Sequence, residues 1–110
     1  MAGNKKRRLL LFMLAAVGMV WWYHHRVEPH SVTLTWQAPP SRHGVTVVGY
    51  NVYRRAGEGG AFVKVVDRVA GPPYEDLLVN SGRTYFYVVT SVDQAGRESR
   101  FSAETKAEVP

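Results

Sequence analysis

The chain has no cysteine in its 110 residues. This absence excludes a disulfide framework, a thiolate nucleophile, a cysteine-ligated metal and a lipid-modified cysteine anchor. It does not decide the compartment, because a domain of this size can fold without a disulfide. The length allows one domain at most, and a composition that is 45% hydrophobic and 21% charged argues against disorder.

Acidic residues are missing from the first 27 positions, which carry five of the 14 basic residues: Lys5, Lys6, Arg7, Arg8 and Arg26. The other nine basic residues and all nine acidic ones lie from Val27 onward, so that part is formally neutral. The net charge of +5 therefore belongs to the N-terminal segment. Nucleic-acid binding requires a basic face on the folded domain, and we predict no nucleic-acid partner.

Charged residues are also absent between Arg8 and Arg26, where residues 9–20 are almost wholly apolar. This pattern predicts a transmembrane helix over 9–25, whose apolar part of about 17 residues would run about 25 Å, at the short end of a bilayer span. Tryptophan and tyrosine suit the membrane–water interface, and basic side chains reach headgroups. The predicted membrane-anchor residues are Lys5, Lys6, Arg7, Arg8, Trp21, Trp22 and Tyr23.

The charge imbalance across this span predicts a single-pass protein of the cell membrane, with a cytoplasmic N-terminus and the domain in the periplasm or outside the cell. The chain then divides into a cytoplasmic basic segment (1–8), the helix (9–25), a linker (26–30) and a folded domain (31–110). Two alternatives remain. One is a cleaved signal peptide, although Ala16-Val17-Gly18 is a weak cleavage site. The other is a buried or interfacial helix.

The folded part shows the period-two alternation of β-strands. Val32, Leu34 and Trp36 alternate with polar residues, and proline ends the strand at Pro39. Further strands separated by Gly- and Pro-rich turns are predicted within 45–55, 62–66, 74–78, 84–92 and 99–109. No helical periodicity follows Tyr23. The fold class is therefore all-β, a sandwich or barrel.

Four blocks in order resemble a known family: SVTLTW (31–36) followed by Pro39-Pro40, VGYNVYR (48–54), VNSGRTY (79–85) and DQAGRES (93–99). They are similar to successive strands and turns of bacterial fibronectin type III domains, and the resemblance covers about 31–109. It implies an immunoglobulin-like β-sandwich, here preceded by the predicted helix. Only about Val27 to His30 lie between the predicted helix and Ser31, too few for a full first strand, so strand A is predicted to be short or missing. The exposed sheet edge would be a route to pairing with another strand.

The resemblance also indicates the structural core. Trp36 and Tyr50 are large enough to fill the space between two sheets. Tyr85 follows a turn at the start of a strand and is the candidate tyrosine corner, whose hydroxyl bonds the backbone a few residues upstream. The predicted core residues are Trp36, Tyr50, Val52, Tyr85, Tyr87 and Val89.

Residues that could carry chemistry do not form a convincing set. His24, His25, His30 and His43 fit no familiar metal-ligand spacing. The carboxylate pairs Glu75 with Asp76 and Asp93 with Glu98 fall at predicted turns or an edge strand, where charge usually serves solubility. We therefore predict no catalytic, cofactor-binding or metal-binding residue, no small-molecule substrate, and a protein that is not an enzyme.

Two functions remain. The first is a non-enzymatic, membrane-anchored interaction or structural module on the extracytoplasmic face, whose partners would be the lipid bilayer and another envelope protein or a second copy. The alternative is a secreted, carbohydrate-associated accessory module released by signal-peptide cleavage. Exposed Tyr53, Phe86 or Phe101 would form its recognition patch, although aromatic residues on a sandwich face more often stabilise the sheet as cross-strand partners.

Overall fold

The computed structural model describes the backbone of residues 7–14 and 23–27 and the whole of residues 30–40 and 42–110. These residues form eight strands. The bounds are β1 Arg7–Leu14, β2 Tyr23–Val27, β3 His30–Gln37, β4 Val47–Ala56, β5 Val63–Val69, β6 Tyr74–Asp76, β7 Thr84–Asp93 and β8 Thr105–Glu108. The predicted all-β class is confirmed.

The strands form two four-stranded sheets. The first has the order β2-β1-β3-β6, and the second has the order β5-β4-β7-β8. In the second sheet every neighbouring pair is antiparallel, and β4 and β7 lie in its centre. Apolar side chains of both sheets meet in one core, so the architecture is a β-sandwich.

The core is built from alternate residues of three central strands. Val32, Leu34 and Trp36 of β3 are buried, as the period-two pattern requires. The ring of Trp36 meets that of Tyr50 edge-on, with centroids 5.4 Å apart. All six residues predicted for the core are buried: Trp36, Tyr50, Val52, Tyr85, Tyr87 and Val89.

Tyr85 ties the start of β7 to the preceding turn. Its hydroxyl accepts a hydrogen bond of 2.8 Å from the backbone N–H of Asn80, five residues upstream. Gly82 lies between them with φ +77°, a left-handed conformation that glycine adopts without steric cost. The turn and the tyrosine together set where β7 begins.

The predicted helix over 9–25 is wrong wherever the structure describes it. Residues 9–14 belong to β1 and residues 23–25 belong to β2, which pairs with β1 in an antiparallel register. An uninterrupted apolar run suits a buried strand as well as a helix, because neither needs alternating polarity. Within the described ranges, no helix has the length and apolar character needed to cross a bilayer.

Of the seven residues predicted to anchor the chain in a membrane, the structure places three in strands. Arg7 and Arg8 begin β1, and Tyr23 begins β2. The remaining four, Lys5, Lys6, Trp21 and Trp22, lie outside the described residues. The predicted linker over 26–30 also changes character, because Arg26 and Val27 end β2 and His30 begins β3.

The prediction of a short or missing strand A is also wrong. The eight residues of β1 pair in parallel with all eight residues of β3, from Arg7 opposite His30 to Leu14 opposite Gln37. A free edge on β3 would leave its N–H and C=O groups without partners, and pairing with an apolar strand satisfies them. Strand pairing at the edge of β3 is therefore not available to a partner.

A local irregularity changes which valine of β4 enters the core. Val47 pairs with Asp93 and Gly49 with Val92, so Val48 is an extra residue in the ladder. The side chain of Val48 is 49% exposed, whereas Val47 packs against the core. Val48 therefore does not share the buried face of Tyr50 and Val52, which begins only after the bulge.

Candidate functional site

Three aromatic side chains gather on the outer face of the second sheet, away from the core. We call Tyr53, Phe62 and Phe101 the aromatic patch. Tyr53 comes from β4, Phe62 from the segment just before β5, and Phe101 from the segment between β7 and β8. Phe101 is 47% exposed, and the other two are partly exposed. Exposed aromatic rings brought together from three segments form a surface able to bind a ligand.

Phe101 is the centre of the patch. Its ring centroid lies 5.0 Å from that of Tyr53 and 5.5 Å from that of Phe62. The planes are inclined by 52° and 68°, so the rings meet in the tilted and edge-to-face geometries that aromatic pairs prefer. The patch is therefore faceted, with Phe101 shared by two ring contacts.

A carboxylate at one side of the patch is held by three donors. Oε2 of Glu98 accepts hydrogen bonds from Thr90 Oγ1 at 2.6 Å, from Asn51 Nδ2 at 3.0 Å and from the hydroxyl of Tyr53. The bonds from Thr90 and Tyr53 lower the pKa of the Glu98 carboxyl, because they stabilise its charged form. Tyr53 is thereby fixed in orientation next to Phe101.

A cation borders the other side. The guanidinium of Arg55 lies 5.1 Å from the ring centroid of Phe62 and 4.3 Å from that of Phe86, and it donates to Glu104 at 2.6 Å. Phe86 is only 7% exposed, so the prediction of Phe86 as an exposed recognition residue is wrong. The buried ring of Phe86 instead packs against the guanidinium of Arg55.

The structure brings together two of the three aromatics predicted for a patch and adds Phe62. Sequence reasoning misses Phe62 because the pattern predicts that this residue is part of a strand over 62–66. In the structure β5 begins one residue later, at Val63, and Phe62 precedes it. Its neighbours Gly59, Gly60 and Ala61 are small, which leaves the ring uncovered from that side. An aromatic residue next to a Gly-rich turn was the available indication.

The carboxylate pairs do not face each other across a cleft. Asp76 is buried and bonds Arg54 and Tyr87, whereas Glu98 bonds the patch residues. Asp93 caps its own turn by accepting from the backbone N–H groups of Ala95 and Arg97. Among the residues that the structure describes, no group of three or more His, Asp or Glu side chains is placed to hold a metal ion.

Segments of known enzymes are similar to this chain. It is 40% identical over 76 residues to the amylopullulanase of Thermoanaerobacterium saccharolyticum, which covers 69% of this chain and 6% of that protein. It is 42% identical over 60 residues to the amylopullulanase of Thermoanaerobacter thermohydrosulfuricus, covering 54% of this chain and 4% of that protein. The matches thus involve only a small part of each relative. No family model matches the chain.

Solved structures define the class. An Fn3-like protein from Clostridium thermocellum superposes with a TM-score of 0.62 at 25% identity, covering 100% of this chain and 96% of the other. The twitchin kinase region from C. elegans superposes with a TM-score of 0.66 at 20% identity, over 73% of this chain and 14% of that one, which shows the fold alone. The protein contains an Fn3-like β-sandwich domain, with the eight strands described above.

Proposed function

We propose that this chain is a non-catalytic, carbohydrate-binding accessory module that works outside the cytoplasm, and that the aromatic patch binds a neutral α-glucan. The observation that carries the proposal is the grouping of Tyr53, Phe62 and Phe101 on one outer sheet face. The similarity to segments of amylopullulanases supports the choice of ligand. Because the matched segments are only a few per cent of those enzymes, the chain takes the role of an accessory part and not that of the catalyst.

The chemistry of the patch suits a sugar. One side of a pyranose ring is rich in C–H groups and packs on the electron-rich face of an aromatic ring. The hydroxyls at the sugar's rim need hydrogen-bonding groups close to the rings. Glu98 and Arg55 stand at two sides of the patch and provide an acceptor and a donor there.

The faceted geometry limits how the glucan binds. Because the planes of Tyr53 and Phe62 are inclined to that of Phe101, one sugar unit stacks on one ring face at a time. A bent chain fits such a surface better than a flat, extended one. We therefore expect pullulan or soluble starch to bind in preference to cellulose.

Affinity electrophoresis tests this directly. The full chain is run in native gels with and without pullulan, and retardation gives the affinity. Phe101→Ala is expected to weaken binding about tenfold, since burying a phenyl ring contributes about 1.5 kcal/mol or more. Leu78→Ala is the matched control, because Leu78 is also an exposed apolar side chain, at 77%, but lies away from the patch.

Two results would overturn the proposal. One is a wild-type chain whose migration no glucan alters at any concentration. The other is equal weakening by Phe101→Ala and Leu78→Ala, which would place the binding elsewhere. Circular dichroism of each variant shows that the sandwich is retained, so that a loss of binding is not a loss of fold.

A second candidate is the membrane-anchored interaction module, favoured by the clustering of positive charge at Lys5, Lys6, Arg7 and Arg8 before an apolar run. As a helix, this anchor requires residues 9–14 to leave β3, so it competes with the sandwich described above. Intact mass from the membrane fraction separates the hypotheses. A full-length mass with a protease-accessible domain in spheroplasts supports anchoring, and a shortened, soluble chain excludes it.

A further inference from the structure

A concave surface lies at one end of the sandwich, apart from the aromatic patch. It is a pocket of about 760 Å³, within the range of about 300–1,000 Å³ typical of ligand sites. Its walls come from the connection between β3 and β4 and from residues around the end of β7. The lining residues used below are Pro39, Arg42, Val45, Thr46, Ser99 and Arg100.

The charge of this pocket has one sign. Arg42 and Arg100 both line it, and no acidic residue is found in its lining among the residues that the structure describes. Neither guanidinium has an ion-pair or hydrogen-bond partner among the described residues, whereas Arg54, Arg55 and Arg97 are all paired. Two unpaired guanidiniums at one concave surface are suited to an oxyanion, which each can bind through two parallel N–H groups.

The nearest carboxylates along the chain do not neutralise these arginines. Asp93 is engaged by Arg97 and by its own turn, and Glu98 is engaged by Thr90, Asn51 and Tyr53. Among the described residues, neither carboxylate forms an ion pair with Arg42 or Arg100.

The wall that carries Arg42 is held in place by one side chain. The amide of Gln94 accepts from the N–H of Thr46 at 2.9 Å and donates to the C=O of Gly44 at 2.9 Å. Across the pocket, the hydroxyl of Ser99 accepts from the N–H of Ser91 and donates to the C=O of Arg100, at 2.9 Å each. Both arginine-bearing segments are thus tied to the end of β7.

We infer that this pocket binds a carboxylate-bearing sugar unit, such as the uronic acid residue of an acidic oligosaccharide. The two guanidiniums bind the carboxylate, while the exposed side chain of Val45 and the pyrrolidine of Pro39 provide apolar surface for the C–H side of the sugar. The choice of a sugar rests on the proposed function. The requirement for a carboxylate rests on Arg42 and Arg100 alone.

Isothermal titration of the full chain with an oligogalacturonate tests the inference, with the fully methyl-esterified form of the same oligosaccharide as the neutral comparison. We expect the acidic sugar to bind the pocket and the neutral one not to. Arg42→Gln and Arg100→Gln should each weaken that binding about tenfold or more, and raised salt should weaken it further, because exposed charge attraction is screened. Amide resonances of Thr46 and Ser99 should shift on titration.

Arg83→Gln is the matched control, since Arg83 is exposed, without a recorded ion pair, and remote from the pocket lining. The inference is overturned if this variant weakens binding as much as Arg42→Gln, or if the oligogalacturonate does not bind. It is also overturned if a glutamate-rich peptide of equal charge binds as tightly as the sugar. Phe101→Ala should leave the acidic sugar bound, so failure here is distinguishable from failure of the glucan proposal.

Discussion

Arg54 and Asp76 join the two sheets through an ion pair whose carboxylate is buried and whose guanidinium is partly exposed. Nη1 of Arg54 donates to both carboxylate oxygens of Asp76, at 3.0 and 2.8 Å, and Asp76 is 1% exposed. The hydroxyl of Tyr87 donates to the same carboxylate at 2.7 Å, and the N–H of Leu78 donates at 3.1 Å. Because Asp76 ends β6 and the other two side chains lie on β4 and β7, one carboxylate links both layers.

Removing this carboxylate should be costly. Asp76→Ala removes the acceptor of the buried Tyr87 hydroxyl and the ion-pair partner of Arg54, which keeps only its bond to the C=O of Leu78. Breaking a fully buried pair costs about 3–5 kcal/mol, and because Arg54 is partly exposed we expect a loss at the lower end of that range. Urea denaturation measures the free energy of unfolding. The control is Asp67→Ala, whose pair with Lys64 is solvent-exposed and worth about 0–1 kcal/mol. Equal losses in the two variants would contradict a structural role for Asp76.

The tyrosine corner should contribute less to the free energy of unfolding than Asp76 does, and its contribution can be measured separately. Tyr85→Phe removes only the hydroxyl that accepts from the N–H of Asn80, and a net hydrogen bond is worth about 1 kcal/mol. We expect a loss of about that size in chemical denaturation. Tyr74→Phe serves for comparison, because the hydroxyl of this partly exposed residue has no hydrogen-bond partner in the part of the chain that the structure describes, and the loss of stability should be smaller. An unchanged midpoint for Tyr85→Phe would refute the assignment.

Glu98 should titrate below the usual range of a glutamate. The hydrogen bonds from Thr90 and Tyr53 lower its folded-state pKa, so their contribution to stability is present above the unfolded-state pKa and is lost as the pH falls through the folded-state pKa. Carboxyl-carbon NMR measures this pKa. Thr90→Val and Tyr53→Phe should each raise it towards the ordinary value. No movement in either variant would show that these bonds do not form in solution.

The N-terminal segment should be extended in water. Because β1 pairs with β3 along its whole length, we expect strand-like Cα and Cβ chemical shifts for residues 7–14. The same residues of a peptide spanning 1–29, which lacks β3, should lose those shifts. Helical shifts for 7–14 in the full chain would instead favour the helix predicted from hydropathy.

The β-strands of the domain were accessible from the sequence because alternation and turn residues are local properties. Val32, Leu34 and Trp36 specify a strand with one buried face without reference to the rest of the chain. The N-terminal run was not accessible in this way. Residues 9–14 are apolar without a period, so only the presence of β3 beside them favours a strand over a helix.

The candidate sites show the same division. Tyr53 and Phe101 could be proposed as exposed aromatics from their positions, but their contact spans 47 intervening positions and depends on how the segment after β7 crosses the sheet. From the sequence, Asp76 is predicted to be a solvent-facing charge that serves solubility, because a charge at a short edge strand usually faces water. It is buried because the core offers it Arg54 and Tyr87, and no local pattern encodes those partners.

The sequence by itself determined the all-β class and the main strands, since these follow from the alternation of side chains along each strand, and its resemblance to fibronectin type III domains indicated the sandwich and its aromatic core. Tertiary structure alone decided that the first apolar run becomes β1, that Phe62 and not Phe86 completes the patch, and that Arg42 and Arg100 share a pocket. The physical reason is that these features depend on contacts between segments that are distant in sequence. The free energy of such a contact depends on which residue the fold brings opposite, and the local sequence does not contain that information.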